Sequence, residues 1–424
     1  MLTLASGKVG RIEFNHEVFD RAAREVFARG GFSPDMLADP AVRPVIMETY
    51  NALNRAVDSA IKTETPPELT AALQNNAFIF SGFKTYHSLS EVGLALTDAD
   101  GKVKPFDTFR KDVETIDSRY NTNYLYAEYN HAVHTSQMAV KWHDYARDGD
   151  RYNLQYRTAG DERVRSEHAA LNNITLPPSD PFWNDYLPPN GWNCRCDVDQ
   201  VLREDYPMSD PEVARAAGDA CTEEPKARIF RYNAGREMTL FPKKHPYLPK
   251  GCGDCPQKGR MLLARDKPLV QCQVCGELFN QCRIEGEKRL SEWRDKNLPI
   301  HGGKSIIGEN FKTGSMLITR QTIKEVKAHS LNFAVRDSLL GIEKGALKYR
   351  YIGWSPCEKK PETEKVKHPE TAFFLYYEVE IAGKTYYANV MARKDYKAEM
   401  LYCIRDSCNM ELLHHDAPPA LDDW

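Results

Sequence analysis

Residues 180–196 read Asp180-Pro-Phe-Trp-Asn-Asp-Tyr-Leu-Pro-Pro-Asn-Gly-Trp-Asn-Cys-Arg-Cys196, and this stretch decides how the middle of the chain can fold. It holds two tryptophans, three prolines and a Cys-x-Cys pair. Because proline removes a backbone donor and fixes φ, these residues cannot form a regular helix or a central strand. We therefore expect an irregular, ordered loop that is held in place by its aromatic side chains and two thiols.

A second element lies upstream and reads Asp161-Glu-Arg-Val-Arg-Ser-Glu-His-Ala-Ala-Leu171. It offers His168 as a third ligand beside the thiols of Cys194 and Cys196. Imidazole and thiolate are ligands that zinc prefers, so these three residues predict a possible metal site. It would be a second site beside the cysteine-rich module that follows at residues 251–283. Its fourth position would be filled by water or by another side chain such as His245.

Two other interpretations of the same residues stay open. In the first, no metal binds: His168 hydrogen-bonds the loop, while the thiols pack beside Trp183 and Trp192. In the second, a metal with an open position activates a water molecule beside a general base such as Glu167, which would permit hydrolysis.

Three elements of the chain together resemble the Mu F-like minor head proteins of tailed phages. They are Asp161 to Leu171, Asp180 to Trp183 and Pro188 to Cys196, and they follow one another in the family's order. The resemblance covers about residues 60 to 250. It implies a structural protein that associates with the phage portal and capsid during head assembly, in the host cytoplasm and then in the virion.

The composition of the chain limits its class. Its 424 residues are enough for two to four domains, and 42% hydrophobic with 28% charged residues is ordinary for a water-soluble protein. The net charge of −3 excludes a global basic field for nucleic acid. We expect no secretory signal and no membrane partner, because no apolar run reaches the roughly 18 residues that span a bilayer. The eleven cysteines then belong in a reducing cytoplasm, where clustered cysteines favour metal over disulfides.

Apolar spacing predicts a mainly α N-terminal and middle region with irregular loops. We expect helices over residues 14–29, about 45–61 and roughly 106–147, the last a single long helix. Between the second and third, after Pro66-Pro67, we expect a loose region with a turn at residues 98–101.

A cysteine-dense module follows at residues 251–283. Cys252, Cys255, Cys272 and Cys275 form two Cys-x-x-Cys pairs, which are typical of a zinc ribbon. Four thiolates leave no open position, so the predicted Zn²⁺ is structural. Cys282 is either spare or a replacement for one of the four ligands. The alternative is four ordinary buried cysteines.

Basic residues lie between these two cysteine pairs. Lys258, Arg260 and Arg265 raise the possibility that the ribbon binds nucleic acid such as packaged DNA. The alternative is a solvated loop.

The last part of the chain predicts an α+β domain. We expect a helix over residues 316–329 with Thr319 as its cap, followed by strands at 346–353, 373–381, 385–392 and 400–404. A helix followed by an antiparallel meander resembles the barnase, EndoU, colicin and RelE-like nucleases that are found fused to phage head proteins.

That resemblance implies metal-independent cleavage of RNA, which needs an acid, a base and a cation for the phosphorane charge. His329 and His368 are the candidate acid and base. Arg393 or Lys394 would hold the phosphate, and Tyr402 would help to position it. The alternative for each of these residues is an inert, solvated side chain.

These observations predict four domains: residues 1–65, an N-terminal helical region; 66–250, a Mu F-like head morphogenesis domain; 251–295, a zinc ribbon; and 296–424, a nuclease-like domain. The predicted function is that of a minor head protein carrying an RNase toxin domain. The rival hypothesis is a packaged nuclease effector, in which the head portion is only a delivery tag.

Overall fold

A computed structural model describes residues 12–62, 64–248, 273–307, 311–329, 339, 348–357, 370–381, 384–405 and 407–420. The chain divides into two compact units. The first takes in Met1–Thr65, Leu73–Leu263 and Pro268–Gln281, and the second takes in Pro66–Ala72, Ala264–Lys267 and Cys282–Trp424. Each unit has its own hydrophobic core.

Helices dominate the described chain up to residue 248. In order they are α1 His16–Arg29, α2 Arg43–Ala60, α3 Pro67–Leu94, α4 Phe106–Asp117, α5 Leu125–Asp148, α6 Ser166–Ala169, α7 Phe182–Asp185, α8 Pro211–Cys221, α9 Pro225–Arg228 and α10 Ala234–Glu237. Short 3₁₀ segments lie at Pro34–Ala38 and Gly149–Arg151. None of the helices in the described ranges combines the length and apolar character needed to cross a bilayer.

The first two predicted helices are confirmed, and α1 has a side-chain cap at its start and the predicted glycine at its end. The side chain of Asn15 accepts from the Glu17 amide at the start of α1, and Gly30 ends the helix at φ 72°. A glycine takes this left-handed conformation without a Cβ penalty. The prediction for α2 is correct to within two residues at its start and one at its end.

The predicted loose region after Pro66-Pro67 is wrong in its first part. Residues 67–94 form the long helix α3, and the turn at residues 98–101 follows it. Many polar side chains of α3 are fully enclosed, including Asn75, Ser81 and Ser88. Because the helix is covered on several sides, its sequence lacks the single apolar stripe by which an amphipathic helix is recognised.

The predicted long helix is confirmed and contains an irregularity. Helices α4 and α5 are joined by the π-helical turn Ser118–Tyr124, so the backbone stays helical from Phe106 to Asp148. A π-turn inserts an extra residue into the hydrogen-bond ladder and shifts the face that the next helix presents.

A small antiparallel sheet completes the first unit. Its strands are β1 Tyr152–Arg157, β2 Thr175–Leu176 and β3 Asp197–Leu202, in the order β2-β1-β3. Leu154 pairs with Leu176 on one side and with Gln200 on the other. One face of this sheet contributes Leu154, Tyr156 and Val198 to the same buried cluster as the Trp-Pro loop of residues 180–196.

Beyond residue 272 the chain forms helix α11 Gln273–Asn297, strands β4 Gly303–Ile307 and β5 Ser315–Thr319, helix α12 Arg320–His329, and strands β6 Tyr349–Pro356, β7 Thr371–Ile381, β8 Lys384–Arg393 and β9 Ala398–Arg405. The six strands form one sheet in the order β4-β5-β9-β8-β7-β6. All neighbouring pairs are antiparallel except β5 with β9.

The predicted meander is therefore confirmed as β6 to β9, with buried and half-buried residues alternating along β7 as a one-faced core requires. The prediction that residues 316–319 begin a helix is wrong, because they lie in β5. Thr319 is nonetheless the cap, since its hydroxyl accepts from the Thr322 amide at 3.2 Å. The resulting sheet is mixed, and the C-terminal α+β assignment holds.

A buried ion pair crosses the helices of the first unit. The Lys84 ammonium on α3 lies 2.5 Å from a carboxylate oxygen of Glu128 on α5, and the side chains are only 1% and 3% exposed. The Tyr247 hydroxyl donates to the second oxygen of that carboxylate. Burial lowers the pKa of Lys84, and the neighbouring Glu128 opposes this shift.

Because removing one partner leaves an uncompensated buried charge, Lys84→Met should lower the free energy of unfolding by about 3–5 kcal/mol. The double variant Lys84→Met/Glu128→Leu should lose clearly less than the sum of its two single changes. Urea denaturation followed by circular dichroism measures both. Arg110→Met, which removes an exposed pair with Glu114, serves as the control and should cost less than about 1 kcal/mol. Equal losses for Lys84→Met and Arg110→Met would contradict this account.

Candidate metal centre

The structure brings His168, Cys194 and Cys196 together, as the sequence predicted. His168 lies on the single-turn helix α6, and both cysteines lie at the end of the Trp-Pro loop, directly before β3. The His168 Nδ1 atom is 3.5 Å from each sulfur. All three residues are at most 8% exposed, and their donor atoms lie within 4.8 Å of one another.

The Trp-Pro loop is buried and ordered, as expected, and other elements hold it from several sides. Trp183 is fully enclosed, and its carbonyl accepts a 2.8 Å hydrogen bond from the Asn233 amide. The Tyr156 hydroxyl on β1 donates to the Asn190 side chain at 2.8 Å. The peptide bond between Pro188 and Pro189 is cis.

Backbone contacts set the direction of the two thiols. The carbonyl of Cys194 lies 2.6 Å from Nδ1 of His134, on helix α5. The preceding residue, Asn193, has φ 57°, a left-handed conformation that asparagine tolerates better than most residues. This turn directs the chain from the loop into β3 with both thiols on the buried side.

A second contact joins the same two sequence elements at the rim of the cluster. The two terminal guanidinium nitrogens of Arg195, Nη1 and Nη2, donate to the two oxygens of Asp161, each at 2.6 Å. This two-pronged geometry fixes orientation as well as distance. The residue between the two cysteines is therefore paired with the first residue of the upstream element.

The imidazole of His168 and the neighbouring cysteine thiols shift one another's pKa values. Burial acts to lower the pKa of His168, but hydrogen bonds with the thiols of Cys194 and Cys221 outweigh it and raise that pKa to about 9. The hydrogen bond from Cys196 and the nearby imidazole hold the pKa of Cys194 well below its ordinary value. The pocket thus favours one thiolate next to a protonated imidazole, and a metal ion would have to displace protons from the imidazole and the remaining thiols.

Two residues that the sequence offered as further members lie elsewhere. His245 packs edge-on against the ring of Phe80 and at a tilt against the ring of Tyr247. Glu167 is exposed, and its carboxylate accepts from Ser166. Hydrogen bonding lowers the Glu167 pKa, which makes it a weaker base and disfavours the hydrolytic interpretation.

Cys221 is a buried thiol that the sequence did not single out. It ends helix α8, is 5% exposed, and belongs to the same core cluster as Cys194 and Cys196. No short spacing links it to the Cys-x-Cys pair, so local motif analysis could not find it. Its position at the buried end of an amphipathic helix was the available signal.

The predicted zinc-ribbon ligands Cys252, Cys255 and Cys272 lie outside the described residues. Cys275 is buried in the first turn of α11. The structural zinc at this place stays a prediction. Lys258, Arg260 and Arg265 likewise lie outside the described residues.

The predicted catalytic residues of the second unit are only partly described. His368 and the side chain of His329, which ends α12, lie outside the described residues. Arg393 pairs with Asp395, at 2.6 Å, and Lys394 is exposed.

Tyr402 lies opposite the Asn389–Val390 bulge, so about 10 Å of strand separates it from Arg393. That Tyr402 helps to position a phosphate held by Arg393 or Lys394 stays a prediction.

Comparison with known proteins places the cluster within a recognised segment. Residues 92–199 match the family described as Phage Mu protein F like protein. The match ends three residues after Cys196, and it includes the upstream element and the Trp-Pro loop.

Two curated relatives carry the same similarity. The chain is 29% identical over 242 residues to "Putative capsid assembly protein F" of Escherichia phage Mu, covering 52% of the chain and 51% of that protein. It is 30% identical over 84 residues to the Mu-like prophage FluMu F protein of Haemophilus influenzae, covering 20% of each. The chain thus spans about half the length of the first and a fifth of the second. No solved structure matches significantly.

The Asp161–Arg195 pair predicts a pH dependence of stability. Hydrogen bonds from Arg195 hold the pKa of Asp161 well below its ordinary 3.8. A carboxylate with a depressed folded-state pKa stabilises the protein above its unfolded pKa, and this stabilisation is lost as pH falls.

Asp161→Asn should therefore lower the urea midpoint at neutral pH, and its difference from the parent protein should shrink below pH about 4. Urea melts between pH 7 and pH 2 measure this difference. Asp100→Asn, in an exposed turn, is the control and should differ little at any pH. A difference that stays constant with pH would show that the Asp161 charge contributes nothing.

Proposed function

We propose that this chain is a structural component of a phage head that acts in head morphogenesis. The observation that carries the proposal is the convergence of three sequence elements, Asp161–Leu171, Asp180–Trp183 and Pro188–Cys196, on one buried centre within the Mu F-like segment. A buried centre that fixes a loop is suited to a scaffold for assembly. The relative in phage Mu, whose printed name is a capsid assembly protein, supports the same role.

The proposed partners are the portal and capsid proteins of the phage that encodes the chain. The helical backbone from Phe106 to Asp148 supplies an extended surface for them. Two of its aromatic side chains, Tyr124 and Tyr126, are 43% and 52% exposed. Exposed aromatic side chains are typical anchors of protein interfaces. Assembly would take place in the host cytoplasm, and the chain would remain in the virion.

Tyr124→Ser/Tyr126→Ser should weaken capture of portal by the full chain roughly tenfold or more, because each change removes an aromatic anchor. Pull-downs with purified portal and major capsid proteins, at virion ratios, measure the effect. Tyr396→Ser, at a residue 50% exposed on the second unit, is the matched control and should bind normally. Failure of the unaltered chain to bind either partner or to enter heads would exclude the proposed role.

A second candidate concerns residues 296–424, for which we propose RNase activity. The observation that favours it is the helix α12 followed by the meander β6 to β9, the layout on which the nuclease resemblance rests. In this proposal His329 and His368 are the acid and base. The head portion would then be a delivery tag, or one protein would combine both functions.

The full chain should cleave total RNA in the presence of EDTA, and His329→Ala should reduce the rate by roughly 100-fold or more, as expected for loss of an acid or base. His143→Ala, an exposed histidine of the first unit, is the control and should retain full activity. Gel analysis of the RNA measures cleavage. An intact RNA ladder with the unaltered protein, with and without divalent metal, would reject the nuclease.

A further inference from the structure

We propose that His168, Cys194, Cys196 and Cys221 form a closed, four-coordinate structural zinc site. The site goes beyond the proposed assembly role and does not depend on it. It takes the three donors that the structure already gathers and completes them with the buried thiol at the end of α8.

The spacing of the gathered donors fits a tetrahedral ion. With Zn–S near 2.3 Å and Zn–N near 2.0–2.1 Å, a tetrahedral angle places sulfur and nitrogen about 3.5 Å apart. Nδ1 of His168 lies at 3.5 Å from the Cys194 sulfur and also at 3.5 Å from the Cys196 sulfur. These separations are the ones that a shared zinc ion imposes on its ligands.

Cys221 is brought to this place by close packing of α8 on the Trp-Pro loop. A Cβ added to Gly218 would lie 2.6 Å from the Tyr186 ring, so the helix backbone rests directly against that aromatic face. The Tyr186 hydroxyl also donates to Asp219 at 2.8 Å. These contacts fix the last turn of α8, and with it Cys221, beside the loop.

The Cys221 thiol belongs to the same buried cluster as Cys194 and Cys196, although it is not part of the trio whose donor atoms lie within 4.8 Å. A change between staggered χ1 rotamers moves a cysteine sulfur by about 3 Å without moving the backbone. In the proposed site, a rotation of this kind places the Cys221 thiolate as the fourth ligand.

A set of three thiolates and one imidazole is a common closed set for structural zinc and leaves no position for a reactive water. Here the ligands come from α6, the Trp-Pro loop and α8, so the ion would cross-link three elements that lack a strong regular hydrogen-bond ladder between them. The burial of all four side chains below 9% exposure suits a structural site.

In the zinc-bound site, Arg165 would bind the loop backbone rather than the ring of His168. With zinc on Nδ1, the Nε2 atom of His168 carries hydrogen and cannot accept from the Arg165 guanidinium, which lies 3.3 Å away. Arg165 then holds the loop through its shorter 2.7 Å bond to the Trp192 carbonyl.

The test separates this site from the predicted ribbon. In the full chain, Cys252→Ser/Cys255→Ser removes two of the ribbon ligands, and the remaining zinc is counted by elemental analysis and examined by X-ray absorption. We expect about one zinc per chain, with three sulfurs near 2.3 Å and one nitrogen near 2.0–2.1 Å. This measurement leaves the proposed ligands unaltered, so it holds even where a ligand variant fails to fold.

In the same background, Cys221→Ser should weaken zinc binding roughly 100-fold or more in competition with a chromophoric chelator, since loss of even an outer-shell partner costs 10–100-fold. Cys403→Ser, a fully buried cysteine of the second unit, is the matched control and should bind zinc as the parent does. Two sulfurs per zinc, unchanged affinity in Cys221→Ser, or a metal-free protein from zinc-supplemented cells would each overturn the proposal.

Discussion

The first unit depends on burying an imidazole beside thiols in a mostly apolar interior. Such groups are costly to enclose without partners, and the surrounding chain supplies partners for the imidazole and for two backbone carbonyls of the loop. His168 is matched by two sulfurs, the carbonyl of Cys194 by His134, and the Trp183 carbonyl by Asn233. The irregular path of residues 180–196 is the path that satisfies these groups at once.

This constraint explains why several short elements surround the cluster. Helices α6 and α7 and strand β2 are at most four residues long, too short to be stable by themselves. They hold their shape because each carries a buried side chain into a common interior, and because Asp161 and Arg195 join its rim. A rigid interior of this kind suits the proposed role of a scaffold in head assembly.

The sequence predicted those features that depend on residues close together in the chain. The helix end at Gly30, the cap at Thr319 and the alternation along β7 each follow from a few neighbouring residues, and the Cys-x-Cys pair with His168 is conspicuous in composition. Helix α3 was missed because its enclosed polar residues hide the usual period. Cys221 was missed since only tertiary packing of α8 places it near residues 25 positions away. The contact between Asp161 and Arg195 has the same origin.

The π-turn Ser118–Tyr124 has a consequence for how the chain can vary. One residue occupies about 100° of a helical wheel, so deleting a single position there would restore a straight ladder and rotate everything downstream by that angle. Helix α5 would then turn His134 and Lys141 away from the carbonyl of Cys194 and the carboxylate of Asp197. The extra residue therefore fixes the rotation of α5 about its axis relative to α4. Insertions or deletions at this point should be tolerated far less well than substitutions.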